Sequence, residues 1–221
     1  ILLPINTSKI IVYDFETGGT NPLIHEPIQI AAVLINPKTI EVDEAASFDS
    51  LMCPPGDEKD WKIEKEALDI NKKTIEQIRQ APPRKQVWQS FCNFVDKYRS
   101  GNWAPISAGY NIDNFDSKIV DRLNIECGRK KTLFSDFMSI DLMKIIFLQF
   151  GFTKDLPSYK FDDVRKFLGL DLTKAHDGYV DALQTAQVLA RFMRYHKNLY
   201  SVEKFQNCFV KKEEDASTEQ G

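Results

Sequence analysis

Histidine is scarce in this chain. There are three in 221 residues, His25, His176 and His196. Cysteine is hardly more common: Cys53, Cys92, Cys127 and Cys208 lie far apart, form no C-x-x-C pair and have no histidine at zinc-finger spacing. That argues against a structural zinc site or a disulfide framework. It fits idle thiols in a reducing, cytoplasmic setting. A long apolar run at the start is also missing. Ile1-Leu2-Leu3 is interrupted by Pro4, Asn6 and Lys9, too soon for a signal peptide or a membrane span. No repeat and no Gly/Ser-rich linker divides the chain. Positive charge is not in excess either, since the formal net charge is −3. This balance argues against coating nucleic acid by charge alone. It leaves room for an enzyme that holds a strand end in an acidic cleft.

What is present suits one α/β domain with a mixed sheet, over residues 1–210, followed by a polar tail at 211–221. Hydrophobic residues make up 43 % of the chain, enough for a sizeable core. Lys9 to Glu16 reads as a first strand, rich in branched and aromatic residues. Ile28 to Ile35 is a nearly continuous apolar run, as for a strand buried on both faces. A third strand is expected near Ile40 to Met52, completing an antiparallel meander. Helical character follows over Ile63 to Arg79. A clearer helix follows Pro83, with Val87, Phe91, Phe94, Val95 and Tyr98 on one face. Short strands are expected at Ile106 to Tyr110 and Met138 to Leu142, and helices at Phe115 to Leu123, Phe161 to Leu168 and Gly178 to His196.

Three acidic clusters stand out against this frame. Asp14 and Glu16 end an apolar strand, and residues two apart on a strand share a face. Like charges side by side in a half-buried place are unfavourable, and a divalent cation with a preference for oxygen ligands relieves this. A solvated strand end is the alternative. The second cluster, from Gly109 to Asp116, lies where a strand hands over to a helix. Asp116 falls in the first helical turn, where a carboxylate also suits the helix dipole, and Asp113 is placed to cap. The third is His176-Asp177-Gly178-Tyr179-Val180-Asp181. Residues five apart on a helix differ by about 140° around its axis. His176 and Asp181 can therefore share one site only if His176 precedes the helix, and Gly178 makes that boundary credible.

Taken together, the order D-x-E, N-x4-D, H-x4-D resembles the DEDD superfamily of 3′→5′ exonucleases, in the subgroup with a catalytic histidine. The resemblance runs from about Lys9 to Arg194. The tyrosine subgroup would need Tyr at position 177, which is Asp here. Ser158-Tyr159-Lys160 and the helix after it also look like the segment before the last motif. The front of the chain, Asp14-Phe15-Glu16-Thr17-Gly18-Gly19-Thr20-Asn21-Pro22, and Gly109-Tyr110-Asn111 resemble the catalytic domain of bacterial exonuclease I. That group carries further C-terminal domains for which this chain is too short.

The resemblance implies a ribonuclease H-like, five-stranded mixed sheet flanked by helices. It implies Asp14, Glu16, Asp116 and Asp181 as ligands of two Mg²⁺ or Mn²⁺ ions, with His176 as the base for the attacking water. Thr17, Gly18 and Gly19 are expected to hold the terminal nucleotide, and Tyr110 and Asn111 its sugar or base. Lys154 and Lys160 are candidates for phosphate contacts. The expected partner is the 3′ end of single-stranded DNA, in a role such as DNA repair, with nucleoside 5′-monophosphates as product. Trimming of RNA ends, or proofreading beside a polymerase docked through Val202, Phe205, Phe209 and Val210, would use the same chemistry. No membrane partner is expected.

Overall fold

The computed structural model describes residues 5, 8–173 and 175–202. The expected tail at 211–221, and Phe205, Phe209 and Val210 before it, lie outside them. One mixed sheet of five strands orders the chain as β3-β2-β1-β4-β5. Strands β1 (Ile10–Thr17), β2 (Pro27–Asn36) and β3 (Glu41–Leu51) form the antiparallel meander. Strands β4 (Ile106–Gly109) and β5 (Ser139–Asp141) add on parallel. β2 is buried almost end to end, as its unbroken apolar run requires. β3 is an edge strand with Glu41, Asp43 and Glu44 along it, charges that discourage pairing with another chain.

The alternation along β1 sets up everything else. Ile11, Tyr13 and Phe15 face a core with helix α3 (Arg84–Asp96) and helix α4 (Asp116–Glu126). Within it Phe91 is fully buried and meets the rings of Tyr13, Phe48, Trp88, Phe94 and Phe134. Truncating such a side chain to alanine costs about 3–5 kcal/mol. Ile10 and Val12 face the opposite core, covered by α5 (Leu142–Phe150), α6 (Phe161–Phe167) and α7 (Gly178–Val202). Asp14 and Glu16 continue that second face beyond the last apolar pair.

Two stretches depart from the expectation. The region from Ile63 to Arg79 is two short helices, α1 (Lys65–Asn71) and α2 (Ile75–Gln80). Lys72 turns left-handed between them with φ 54°, and Thr74 restarts the chain with a capping box to Gln77. Helix α5 has no clear helical period in Leu-Met-Lys-Ile-Ile-Phe-Leu-Gln-Phe and was not expected. Asp141 starts it by accepting the Met143 N–H at 3.0 Å. Asp113 does not cap α4. Its carboxylate takes the Ser139 hydroxyl at 2.8 Å and the Lys144 ammonium. Among the described residues no helix is long and apolar enough to cross a membrane.

Candidate active site

Three elements bring the acidic clusters together at one end of β1. Asp14 and Glu16 lie opposite Ala31 and Gln29 in the register with β2. On the other side, the ladder with β4 ends at Val12 and Ala108. Beyond it the Phe15 N–H has no strand to donate to, and Asp116 Oδ1 accepts it at 3.0 Å. This bond fixes the first residue of α4 beneath the two strand carboxylates. Helix α7 brings the last one. One carboxylate oxygen each of Asp14, Glu16 and Asp181 lie within 4.8 Å of one another. Asp116 stands outside that trio. Gly178 opens α7 where a side chain would crowd the site, because a Cβ there would come 3.3 Å from Gln29 Cδ and 3.5 Å from Glu16 Cγ.

His176 is kept off the helix. Asp177 caps α7 by accepting the N–H groups of Tyr179 and Val180 at 3.2 and 3.4 Å. His176 sits just before it at φ 66°, a backbone conformation uncommon for a residue with a Cβ. The Lys72 ammonium holds the neighbouring Ala175 carbonyl at 3.3 Å. The imidazole is 41 % exposed, and its Nε2 lies 3.4 Å from Asp162 Oδ2.

The electrostatics are those of a cluster short of positive charge. Burial pushes the Asp14 carboxyl well above its ordinary range, and the charges of Asp116, Glu16 and Asp181 push it further. Asp14 keeps a partly exposed edge. Burial and then Asp181 raise Glu16 to about 7, with Lys73 opposing. Burial raises Asp116 to about 7, with the Phe15 N–H opposing. Burial also raises Asp181, against the nearby Arg165 and His176. Acids held together at this cost, three of them offering hard oxygen donors across one small gap, fit a divalent cation.

The expected substrate contacts have mixed surroundings. Thr17, Gly18 and Gly19 are buried under their own chain. The Thr17 hydroxyl donates to the Gly19 carbonyl at 2.7 Å, and Asn71 donates to the Thr17 carbonyl at 3.0 Å. A Cβ on Gly18 would meet Lys62 O and Ile63 Cα at 2.8 Å, and one on Gly19 the His25 ring at 2.5 Å. The turn's glycines therefore serve close packing within the chain. Tyr110 points toward α6, with its ring 4.5 Å from that of Phe161 and its hydroxyl donating to Tyr159 O at 2.6 Å. Asn111 turns left-handed at φ 57°, with its N–H on Asp141 Oδ1 at 2.9 Å. Lys154 and Lys160 are exposed.

The family model for RNase_T exonucleases matches residues 11–189. The chain belongs to this exonuclease family. The fold agrees. Exonuclease I of E. coli in complex with a dT13 oligonucleotide matches with a TM-score of 0.72 at 18 % identity, over 88 % of this chain and 43 % of that one. The zinc-bound form of E. coli exonuclease I with single-stranded DNA matches at 0.70 and 18 %, over 88 % and 42 %. Cell-death related nuclease 4 (CRN-4) matches at 0.68 and 19 %, over 85 % and 64 %. These likenesses show a shared fold, the ribonuclease H-like sheet with helices on both faces. The exonuclease domain spans less than half the length of exonuclease I. No curated protein matches the chain in sequence.

One residue beside the cluster escaped the sequence reading. Arg165 is buried, at 1 % exposure, and its Nη2 donates to Asp181 Oδ1 at 2.5 Å. The signal was there: Phe161, Val164, Arg165 and Leu168 fall on one helical face. An arginine in an otherwise apolar stripe marks a charge that the core must pair.

Proposed function

We propose that the exonuclease domain removes nucleotides from the 3′ end of single-stranded DNA with two divalent metal ions, Mg²⁺ or Mn²⁺, releasing nucleoside 5′-monophosphates. The observation that carries this reading is the trio of Asp14, Glu16 and Asp181, with oxygens within 4.8 Å and Asp116 beside them. Asp14, Glu16, Asp116 and Asp181 would hold the ions. Divalent ions in such a site lower the pKa of a bound water and offset the charge on the leaving 3′-oxygen.

The chain's own residues account for the rest. Asp14 and Glu16 are fixed by the sheet, so their spacing does not change when substrate enters. His176 accepts the proton of the attacking water. Its place before α7 and its exposed ring let it reach substrate without unwinding the helix that carries Asp181. The packed turn from Thr17 to Gly19 shapes the place beside Glu16 where the end of the strand would lie, and Asn111 borders the same end of the sheet. A reducing, cytoplasmic setting suits the free thiols of Cys53, Cys92 and Cys127.

DNA is favoured as substrate by the resemblance of the front motif and by the oligonucleotide complexes of E. coli exonuclease I. The test uses 5′-labelled single-stranded DNA, single-stranded RNA and duplex DNA with Mg²⁺, Mn²⁺ or EDTA. A ladder that shortens from the 3′ end, fastest on single-stranded DNA and absent in EDTA, is expected. Faster shortening of RNA would move the reading to RNA-end trimming.

A further inference from the structure

We propose that Arg165, together with Asp162, is the positioning device of the last motif. Arg165 fixes the Asp181 carboxylate at the cluster, and Asp162 ties the same guanidinium to His176. The inference rests on reading the carboxylates as a divalent-metal site.

All three guanidinium nitrogens of Arg165 are engaged. Nη2 donates to Asp181 Oδ1 at 2.5 Å, Nη1 to Asp162 Oδ1 at 2.9 Å and Nε to Gln184 Oε1 at 2.7 Å. The Phe161 ring lies against the group, 3.9 Å from Cζ to the centroid. Gln184 is held in turn by the Asp171 carbonyl at 2.8 Å. A buried guanidinium with every arm bonded has one orientation. The Asp181 oxygen it holds is therefore also fixed. Asp162 is shared: one oxygen accepts from Arg165, and the other lies 3.4 Å from His176 Nε2. Thus α6 reaches both residues of the last motif, one on each side of the α7 N-terminus.

The geometry explains why the device is needed. Asp14 and Glu16 have a strand to hold them, and Asp116 has the Phe15 N–H. Asp181 stands one turn into a helix, facing the carboxylates of Asp14 and Glu16, which repel it. Without a partner its side chain would rotate away from the cluster. Arg165 supplies the opposing pull. A bond to a metal-ligating side chain from the layer behind it sets ligand orientation, and losing one costs about 10- to 100-fold in metal affinity or activity.

The test measures Mn²⁺ affinity by calorimetry, and kcat and KM on single-stranded DNA, in the full chain and its variants. Circular dichroism checks the fold. Asp181→Asn serves as the control for a lost ligand. Arg165→Met keeps the volume and removes the fork. It is expected to weaken Mn²⁺ binding and lower kcat by about 10-fold or more each, with KM little changed. Arg165→Lys covers the case where the buried charge is needed for folding. One ammonium cannot hold Asp181, Asp162 and Gln184 together, so a several-fold loss in both quantities is expected. A purely structural arginine would lower thermal stability and leave Kd and kcat of the folded protein alone. Wild-type Kd and kcat in either folded variant overturn the assignment. Absence of Mn²⁺ binding by the wild-type chain overturns the metal reading itself, a result that needs no variant to see.

Discussion

The first and last motifs put carboxylates into the same cluster by different means. Asp14 and Glu16 are held by backbone: β1 is paired with β2 along its length and with β4 over its first three residues, and the strand's alternation aims both side chains one way. His176 and Asp181 are held by side chains. Arg165, Asp162, Asp177 and Lys72 fix a left-handed turn and the first turn of α7. A strand presents two carboxylates at once but cannot move. A loop before a helix can move, and needs partners to be brought back. The second kind of support suits the role proposed for His176, because a general base must meet a water that arrives with the substrate.

The largest effect is expected at the strand. Asp14→Ala should reduce metal-dependent nuclease activity to background while circular dichroism stays native, and the metal-free protein should gain stability from the lost repulsion. Asp181→Ala should be as inactive. A near wild-type rate in either contradicts the ligand assignment. His176→Ala probes the movable side. It should lower kcat about 10²- to 10⁴-fold, with Mn²⁺ affinity by calorimetry within a few-fold of wild type. A large loss of Mn²⁺ affinity would put His176 among the ligands instead.

Stability against pH sharpens the comparison next. Glu16 rises from 4.5, and Asp116 from 3.8, to about 7 in the folded chain. The folded state therefore binds more protons than the unfolded state between those limits. The stability associated with these groups is present below pH 4, and it is lost as pH rises toward 7. In EDTA the loss from Glu16 alone should be on the order of 3 kcal/mol. Chemical denaturation from pH 5 to 8 should show a shallower fall in Glu16→Gln than in wild type. Mn²⁺ should reverse the trend, since it competes with the same protons. Equal slopes in the two proteins would show that Glu16 is not the origin.

The two glycine positions give the smallest effects, and they should separate. Gly18→Ala forces a Cβ to 2.8 Å from backbone atoms of Lys62 and Ile63. It should cost about 1–3 kcal/mol by urea unfolding. Gly178→Ala meets only side chains, at 3.3 and 3.5 Å, at the first residue of α7. Its stability should hold, while kcat drops about 2- to 10-fold as Gln29, opposite Glu16 in the sheet, gives way to the new methyl. A stable Gly18→Ala would mean that the segment over the turn is loosely packed.

Most of this was legible in the chain. The meander, the order of elements and the place of His176 outside α7 follow from periodicity, and Gly178 marks the boundary. Asp14 and Glu16 could be paired by counting two along a strand. Helix α5 could not be seen, because a stretch apolar on nearly all sides carries no helical period. The break at Lys72 depends on one left-handed residue of a type that rarely adopts that conformation. Tyr110 reads as an aromatic beside an active site, but its surroundings are Phe161 and Tyr159, which only tertiary packing reveals. Arg165 left a trace as a charge in an apolar stripe. Its partners lie 3 to 19 residues away, and no spacing rule joins them to Asp181.

The most direct test is the release of 5′-mononucleotides from single-stranded DNA, followed as Mn²⁺ is added and then chelated. Wild type and Asp14→Asn should be run side by side. The account predicts release by wild type that begins with Mn²⁺, stops with EDTA and is absent in Asp14→Asn. Release that continues in EDTA, or at the same rate in Asp14→Asn, would contradict it.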